Sequence, residues 1–181
     1  MNKANKITLS RIILIPFFVL FLFVLGKVGV IISLTIFVVS SFSDWLDGYI
    51  ARKRNEVTVL GKIMDPVADK ILVYSGFICF IYLHIIPFWM VLIIMARDFL
   101  VMALRVQLAT KGYVLAARPS AKLKTVLEYA ALFFAFIYLL VVLSPIKIGV
   151  KVSIYSFMSA ATAFAIISGI QYLLEGKKIL T

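Results

Sequence analysis

The sequence predicts an all-α integral membrane protein with six transmembrane helices and with both termini in the cytoplasm. Apolar residues make up 64% of the 181 residues, above the about 45–50% that is usual in globular domains, and the mean hydropathy is +1.10. Apolar runs of about 20 residues, long enough to cross a bilayer, recur along the chain. Only 15% of the residues are charged, and they sum to +11, which indicates a membrane protein with a basic rim.

The first three predicted spans are separated by charged residues and glycine. The first span ends at Gly26, directly before Lys27. The second ends before the basic run 52–54, and the third begins after Lys62. The third ends at Ile86, directly before Pro87, because a continuous helix through this proline would be too long for one bilayer.

The last three predicted spans follow the same rule. The fourth begins at Pro87 and ends before Lys111, and the fifth ends before Pro145. The sixth lies between Lys151 and Glu175. The six predicted spans are 7–26, 28–50, 64–86, 87–110, 121–143 and 152–174, and together they form one domain over residues 1–181.

The placement of lysine and arginine predicts the orientation. With the N-terminus inside, thirteen of these residues fall in cytoplasmic segments or at the cytoplasmic ends of spans, and three fall in external turns. The three external residues are Lys27, Lys147 and Lys151. Because cytoplasmic segments carry the excess of positive charge, we expect both termini in the cytoplasm.

Four of the eight acidic residues lie at the predicted cytoplasmic ends of two neighbouring spans. Asp44 and Asp47 fall at the predicted cytoplasmic end of the second span, and Asp65 and Asp69 at that of the third. A helix places residues i, i+3, i+4 and i+7 on one face, so each pair shares a face with small residues. These small residues are Gly48, Ala51, Gly61 and Ala68. A carboxylate costs about 2.5–3.5 kcal/mol at the centre of a membrane, so the four aspartates require a cationic partner.

The expected partner is a divalent metal ion. Converging carboxylates repel each other, so either some take up protons or a cation neutralises them. The sole histidine, His84, lies near the opposite membrane face, and the single cysteine, Cys79, lies in an apolar run. An all-oxygen ligand set favours Mg²⁺ or Mn²⁺, and Mg²⁺ usually completes its shell with substrate phosphates. We therefore predict a phosphate ester or diphosphate as the substrate.

The aspartates belong to a longer pattern. Residues 44–52 read Asp-Trp-Leu-Asp-Gly-Tyr-Ile-Ala-Arg and residues 61–69 read Gly-Lys-Ile-Met-Asp-Pro-Val-Ala-Asp. The pattern resembles the motif of the CDP-alcohol phosphotransferase (CDP-alcohol phosphatidyltransferase) family, Asp-x-x-Asp-Gly-x-x-Ala-Arg followed by Gly-x-x-x-Asp-x-x-x-Asp. All eight fixed positions match, and six spans with a cytoplasmic N-terminus also agree with the family.

The resemblance implies the transfer of a phosphatidyl group from CDP-diacylglycerol to an alcohol, with release of CMP. It implies two divalent ions, Mg²⁺ or Mn²⁺, held by Asp44, Asp47, Asp65 and Asp69. Asp69 is also implied as the general base that takes the proton of the attacking hydroxyl. The residues implied in CDP binding are Asp44, Gly48, Ala51, Arg52, Gly61 and Asp65.

Basic residues in and after the fourth span favour a phosphorylated acceptor. The stretches 96–100 (Ala-Arg-Asp-Phe-Leu) and 119–125 (Pro-Ser-Ala-Lys-Leu-Lys-Thr) resemble the phosphatidylglycerophosphate synthase branch of the family, which implies sn-glycerol 3-phosphate as the acceptor. Arginine binds phosphate with two parallel hydrogen bonds. The predicted acceptor-phosphate residues are Arg105, Arg118, Lys122 and Lys124, with Thr8 and Arg11 as further candidates. Arg97 is expected to form a structural pair instead.

Several alternatives stay open. The same chemistry operates with serine, inositol phosphate or phosphatidylglycerol as the acceptor, and residues 118, 122 and 124 also fit a basic rim that contacts anionic lipid. A transporter agrees less well, since the acids lie at one membrane face and no span is broken at its midpoint. A prenyl-diphosphate transferase also uses paired aspartates with Mg²⁺, but six spans are few for that group.

The expected partners are CDP-diacylglycerol, glycerol 3-phosphate and membrane lipids, with no nucleic acid. The resemblance also implies a homodimer. The expected location is a bacterial inner membrane, with the active site facing the cytoplasm. The tyrosines are interpreted as aromatic residues at the lipid headgroups, and Glu175 as an interface or helix-contact residue.

Overall fold

All secondary structure in the described part of the chain is helical. The computed structural model describes residues 3–54, 59–113, 118–142 and 144–180, and side chains within 13–43, 69–113, 118–142 and 144–179. The helices are α1 (Lys3–Val24), α2 (Gly26–Arg54), α3 (Val59–Tyr82), α4 (Phe88–Thr110), α5 (Pro119–Leu140) and α6 (Ser144–Leu180). No strand occurs in these ranges, so the all-α prediction is confirmed.

Three helices are long and apolar enough to cross a bilayer within the described residues. They contain the stretches Gly26–Ser43, Pro119–Leu140 and Ser144–Ile179. In α1, the apolar stretch with described side chains is shorter, Ile13–Val24. These observations agree with an integral membrane protein, and the six-span topology stays a prediction.

α4 is not among the three because it carries Arg97, Asp98 and Arg105 within 23 residues. A charged residue inside a span is tolerated when it faces the protein interior and has a partner. Asp98 is buried, Arg97 is half-buried and Arg105 is exposed, so two of the three charges of α4 belong to the packed interior. Hydropathy alone therefore does not decide whether α4 crosses the membrane.

The chain divides into two compact units, Met1–Phe80 and Ile81–Thr181. In the first unit α1 packs against α2, and in the second unit α6 packs against both α4 and α5. The second unit thus holds most of the basic residues predicted to bind an acceptor, and α6 is the helix that contacts both of its neighbours there.

Two glycines shape the hairpin of α1 and α2. Gly26 has a φ of +54°, a left-handed conformation that favours glycine, and it begins α2 directly after the turn. A Cβ on Gly29 would lie 1.9 Å from the carbonyl oxygen of Phe21, so only glycine permits this approach. Further along the hairpin, the buried Ser33 Oγ donates a hydrogen bond of 2.9 Å to the carbonyl of Phe18. The first two helices therefore pack closely.

The connection from α3 to α4 begins earlier than the proline suggests. α3 ends at Tyr82, and His84 adopts a φ of +55°. The His84 N–H donates to the carbonyl of Ile81 at 2.9 Å, which is the kind of bond that closes a helix C-terminus. Pro87 caps α4, which begins at Phe88. The helix therefore ends four residues before the predicted boundary at 86, because a left-handed residue closes it before proline does.

α6 is longer than the sixth predicted span. It has 37 residues, or roughly 55 Å at a rise of about 1.5 Å per residue, against about 30 Å for the hydrocarbon core of a bilayer. Residues 144–151, predicted as an external turn with Lys147 and Lys151, form its first two turns. Proline is well tolerated in the first turn of a helix, so Pro145 starts the helix instead of breaking it.

Candidate functional site

The eight-position aspartate motif lies on two helices. α2 extends through positions 44, 47, 48, 51 and 52 and α3 through positions 61, 65 and 69, so the helical spacing behind the prediction is present. Of the motif side chains, the structure describes that of Asp69, which is half-buried. The side chains of Asp44, Asp47, Gly48, Ala51, Arg52, Gly61, Asp65, Thr8 and Arg11 lie outside the described residues, and their roles stay predictions.

The chemistry of the motif suits a hard divalent ion. Its acidic members offer carboxylate oxygens alone, and oxygen ligands are those that Mg²⁺ and Mn²⁺ prefer. Within the described side chains there is no group of three His, Cys, Asp or Glu residues that could hold a metal. Three of the four predicted ligands fall outside that part of the chain, and the metal site stays a prediction.

A buried network of ion pairs connects α4 to α5. Lys124 on α5 is fully buried, and its Nζ lies 2.5 Å from Asp98 Oδ1 and 2.8 Å from Glu128 Oε1. Asp98 Oδ1 also accepts a hydrogen bond of 2.9 Å from Arg97 Nη1. Each cation thus has a carboxylate close by, as charges away from water require. The expected structural pair of Arg97 is present, and its partner is Asp98.

Tyr172 on α6 lies at the centre of a second polar cluster. Its side chain is fully buried. Its hydroxyl accepts a hydrogen bond of 2.9 Å from Arg105 Nη2 and one of 2.9 Å from the backbone N–H of Arg118. The guanidinium carbons of Arg97, Arg105 and Arg118 lie 5.5, 5.2 and 5.8 Å from the centroid of its ring. The cluster therefore joins α4, the start of α5 and α6.

Glu175, one turn after Tyr172, contacts the same arginine. Its Oε2 accepts hydrogen bonds from Arg118 Nη2 at 2.5 Å and from Arg118 Nε at 3.1 Å. Both side chains are more than a third exposed, so the pair lies at the accessible edge of the cluster. Glu175 therefore orients the Arg118 guanidinium at this edge and offsets part of its positive charge.

The structure places the four predicted acceptor residues in different environments. Arg105 and Arg118 come together around Tyr172. Lys122 is exposed on the first turn of α5. Lys124 lies inside the ion-pair network between Asp98 and Glu128. The two arginines are therefore the pair that the fold assembles.

The sequence analysis did not single out Tyr172, which it grouped with the tyrosines at the lipid headgroups. The fully buried position shows that this interpretation was wrong for Tyr172. A helical pattern could have identified it, since Ser168, Tyr172, Glu175 and Gly176 recur at i, i+4, i+7 and i+8 and so form one polar or small face of α6. Ser168 and Gly176 are indeed buried on this face.

Comparisons with known proteins complete the description. A family model described as CDP-alcohol phosphatidyltransferase matches residues 1–171. A CDP-diacylglycerol--glycerol-3-phosphate 3-phosphatidyltransferase of Bacillus subtilis is 42% identical over 136 residues, which are 68% of this chain and 70% of the relative. The protein of that name from Wigglesworthia glossinidia brevipalpis is 33% identical over 175 residues, 92% of this chain and 94% of the relative. A probable phosphatidylglycerophosphate synthase of Mycobacterium tuberculosis is 31% identical over 175 residues, 95% and 80% of the two chains.

Proposed function

Because the chain belongs to the CDP-alcohol phosphatidyltransferase family, we propose that it transfers the phosphatidyl group of CDP-diacylglycerol to sn-glycerol 3-phosphate. The products are phosphatidylglycerophosphate and CMP. The observation that carries this proposal is the name shared by relatives at 33% and 42% identity, which states the lipid donor and the acceptor. The complete eight-position motif supports the same chemistry.

The reaction exchanges one bond to phosphorus for another. The acceptor hydroxyl oxygen forms a bond to the phosphorus that carries diacylglycerol, and the phosphoanhydride bond to CMP breaks, so that CMP leaves with the electron pair. Asp69 takes the proton of the attacking hydroxyl, which makes the oxygen a better nucleophile as the bond forms. Its half-buried carboxylate is compatible with this role, because it is partly accessible to a substrate.

The other motif residues bind the donor. Asp44, Asp47, Asp65 and Asp69 would hold two divalent ions, Mg²⁺ or Mn²⁺, which would supply positive charge to stabilise the diphosphate and the leaving CMP. The nucleotide is bound by Asp44, Asp65 and the small or basic residues of the motif. The latter are Gly48, Ala51, Arg52 and Gly61. Small side chains leave room for a flat base and ribose, which larger side chains would exclude.

The cluster of the second unit recognises the acceptor phosphate. Arg105 donates one of its five N–H groups to Tyr172 and retains the others for a ligand. Arg118 lies at the exposed edge, and Lys122 adds positive charge at the surface of α5. Lys124 takes no direct part in this recognition, since contact with the phosphate would require it to leave two buried carboxylates.

A panel of acceptors tests the proposed function. We expect purified protein in detergent, with Mg²⁺ or Mn²⁺, to release CMP from CDP-diacylglycerol when glycerol 3-phosphate is added. Glycerol, which lacks the phosphate, is the matched control and should give little CMP. Turnover with serine, inositol phosphate or phosphatidylglycerol in place of glycerol 3-phosphate would contradict the acceptor assignment. No turnover with any acceptor would contradict the reaction class.

We also propose that the six helices span a bacterial inner membrane with both termini and the active site at the cytoplasmic side, and that the protein is a homodimer. The support for the orientation is the thirteen-to-three distribution of basic residues.

Cysteine labelling in intact cells tests this topology. In a Cys79→Ser background, Lys27→Cys should react with a membrane-impermeant maleimide, and Tyr113→Cys should react only after the cells are broken. Both positions are exposed in the structure, so a difference in labelling reports the membrane side. The reverse pattern would overturn the orientation, and equal labelling of both in intact cells would exclude an odd number of crossings between them.

A further inference from the structure

The hydroxyl of Tyr172 combines features that helix packing alone does not require. The side chain is fully buried on α6, where phenylalanine would fill the same space without a polar atom. Its oxygen accepts from a charged donor on α4, Arg105 Nη2, and from a main-chain donor at the N-cap of α5, the Arg118 N–H, both at 2.9 Å. One oxygen therefore connects three helices at the two arginines proposed to bind the acceptor.

The ring of Tyr172 also reduces the cost of bringing like charges together. Three guanidinium carbons lie within 5.2 to 5.8 Å of its centroid. The negative potential over an aromatic face attracts cations, by about 0.5–2 kcal/mol depending on exposure. The ring and the hydroxyl thus hold Arg105 and Arg118 in one place before any anion is bound.

We propose that Tyr172 is a positioning residue for the acceptor phosphate. Its hydroxyl fixes the Arg105 guanidinium and the main chain at Arg118, so that the remaining donors of both arginines are directed at a phosphate monoester without rearrangement. The inference rests on the proposed function, in which these arginines bind the acceptor, and it extends that site by a residue that does not itself touch the substrate. Pre-organised donors bind more tightly because less side-chain freedom is lost on binding.

The Tyr172→Phe variant tests the hydroxyl separately from the ring. It retains the buried aromatic side chain and its contacts with the arginines, and it removes both hydrogen bonds. We expect the KM for glycerol 3-phosphate to rise about tenfold or more, as the loss of a hydrogen bond to a charged group predicts, while the KM for CDP-diacylglycerol changes less than about twofold. Steady-state CMP release, with each substrate varied in turn, measures the two constants.

Ser168→Ala is the matched control. Ser168 is a buried residue on the same helix whose Oγ donates to the Ala165 carbonyl at 3.2 Å, within α6 itself. Its substitution also removes a buried hydroxyl, but not one that contacts an arginine of the cluster. We expect both KM values to stay at those of the unmodified chain. A similar change in both KM values for Tyr172→Phe would show a merely structural role and overturn the inference.

Arg105→Ala separates a failure of this inference from a failure of the proposed function. It should raise the KM for glycerol 3-phosphate far more than that for the lipid; if it does not, the assignment of the acceptor site is wrong. If it does and Tyr172→Phe leaves that KM unchanged, the inference is wrong and the acceptor site stands.

A double variant supplies a second measurement. If Tyr172 acts in part through Arg105, Tyr172→Phe should raise the KM for glycerol 3-phosphate by a smaller factor in the Arg105→Ala background than in the unmodified chain, because only the hydrogen bond from the Arg118 N–H is then left to lose. Full additivity of the two effects would show that they are independent and would overturn the inference.

Discussion

The substitution Asp69→Asn is expected to reduce CMP release by at least about 100-fold, the lower range of what a positioned general base contributes. Asparagine has the same shape as aspartate but cannot accept the proton of the attacking hydroxyl. Binding of CDP-diacylglycerol should be partly kept, because three of the four proposed metal ligands remain. The measurements are the turnover number at saturating substrates and the affinity for the lipid donor.

Asp44→Asn is the comparison for this result. Asp44 is proposed to bind metal and nucleotide without acting as a base, so its substitution should raise the concentration of Mg²⁺ or Mn²⁺ needed for half-maximal activity. Asp69→Asn should differ from it by losing turnover even at saturating metal. An unchanged turnover number in Asp69→Asn would show that Asp69 is not the general base. Asp44→Asn would then still test the proposed metal ligands.

The second large effect is expected on stability, from Lys124→Met. Lys124 is fully buried between Asp98 and Glu128, and methionine would fill a similar volume without its charge. Removing one partner of a buried ion pair leaves an uncompensated charge and costs about 3–5 kcal/mol. We therefore expect a markedly lower midpoint of unfolding in detergent. Thermal or denaturant titration measures this midpoint.

Lys122→Met is the matched control for stability. It makes the same substitution two residues earlier, on an exposed side chain, and exposed charges contribute about 0–1 kcal/mol. Its midpoint should lie close to that of the unmodified chain. Neutralising Glu128 as well, in the double variant Lys124→Met, Glu128→Gln, should recover part of the loss, because Asp98 then keeps Arg97 as its partner. An unchanged midpoint for Lys124→Met would contradict the buried network.

Much of the fold was predictable because long apolar segments indicate membrane helices. Long apolar runs and breaks at glycine, proline and charge predicted an all-α chain, and α4 ends at Thr110 as the pattern indicates. Helix ends that depend on the local backbone conformation could not be predicted from composition. α3 closes at Tyr82 through the left-handed His84, and α6 begins at Ser144 because proline is compatible with a first helical turn.

For the proposed site, predictability differed between its two parts. The aspartate motif could be recognised because metal and nucleotide chemistry requires particular residues at fixed helical spacings. The basic residues carried no such spacing, and the same charges on α5 also suited a rim that contacts lipid. Contacts between helices far apart in the sequence show the difference between two of these residues. Lys124 is held in a buried ion pair by Asp98, whereas Arg118 contacts Tyr172 and Glu175.

The sequence by itself determined the helical membrane class, the presence of the aspartate motif and the family, since each depends on residue type and on spacing within one segment. Tertiary structure alone decided which basic residues are enclosed and which face an accessible edge. It also assigned Tyr172 to the arginines instead of to the lipid headgroups. The physical reason is that burial and partner choice arise when α4, α5 and α6 pack together, and a pattern read along one helix does not contain the neighbours that packing supplies.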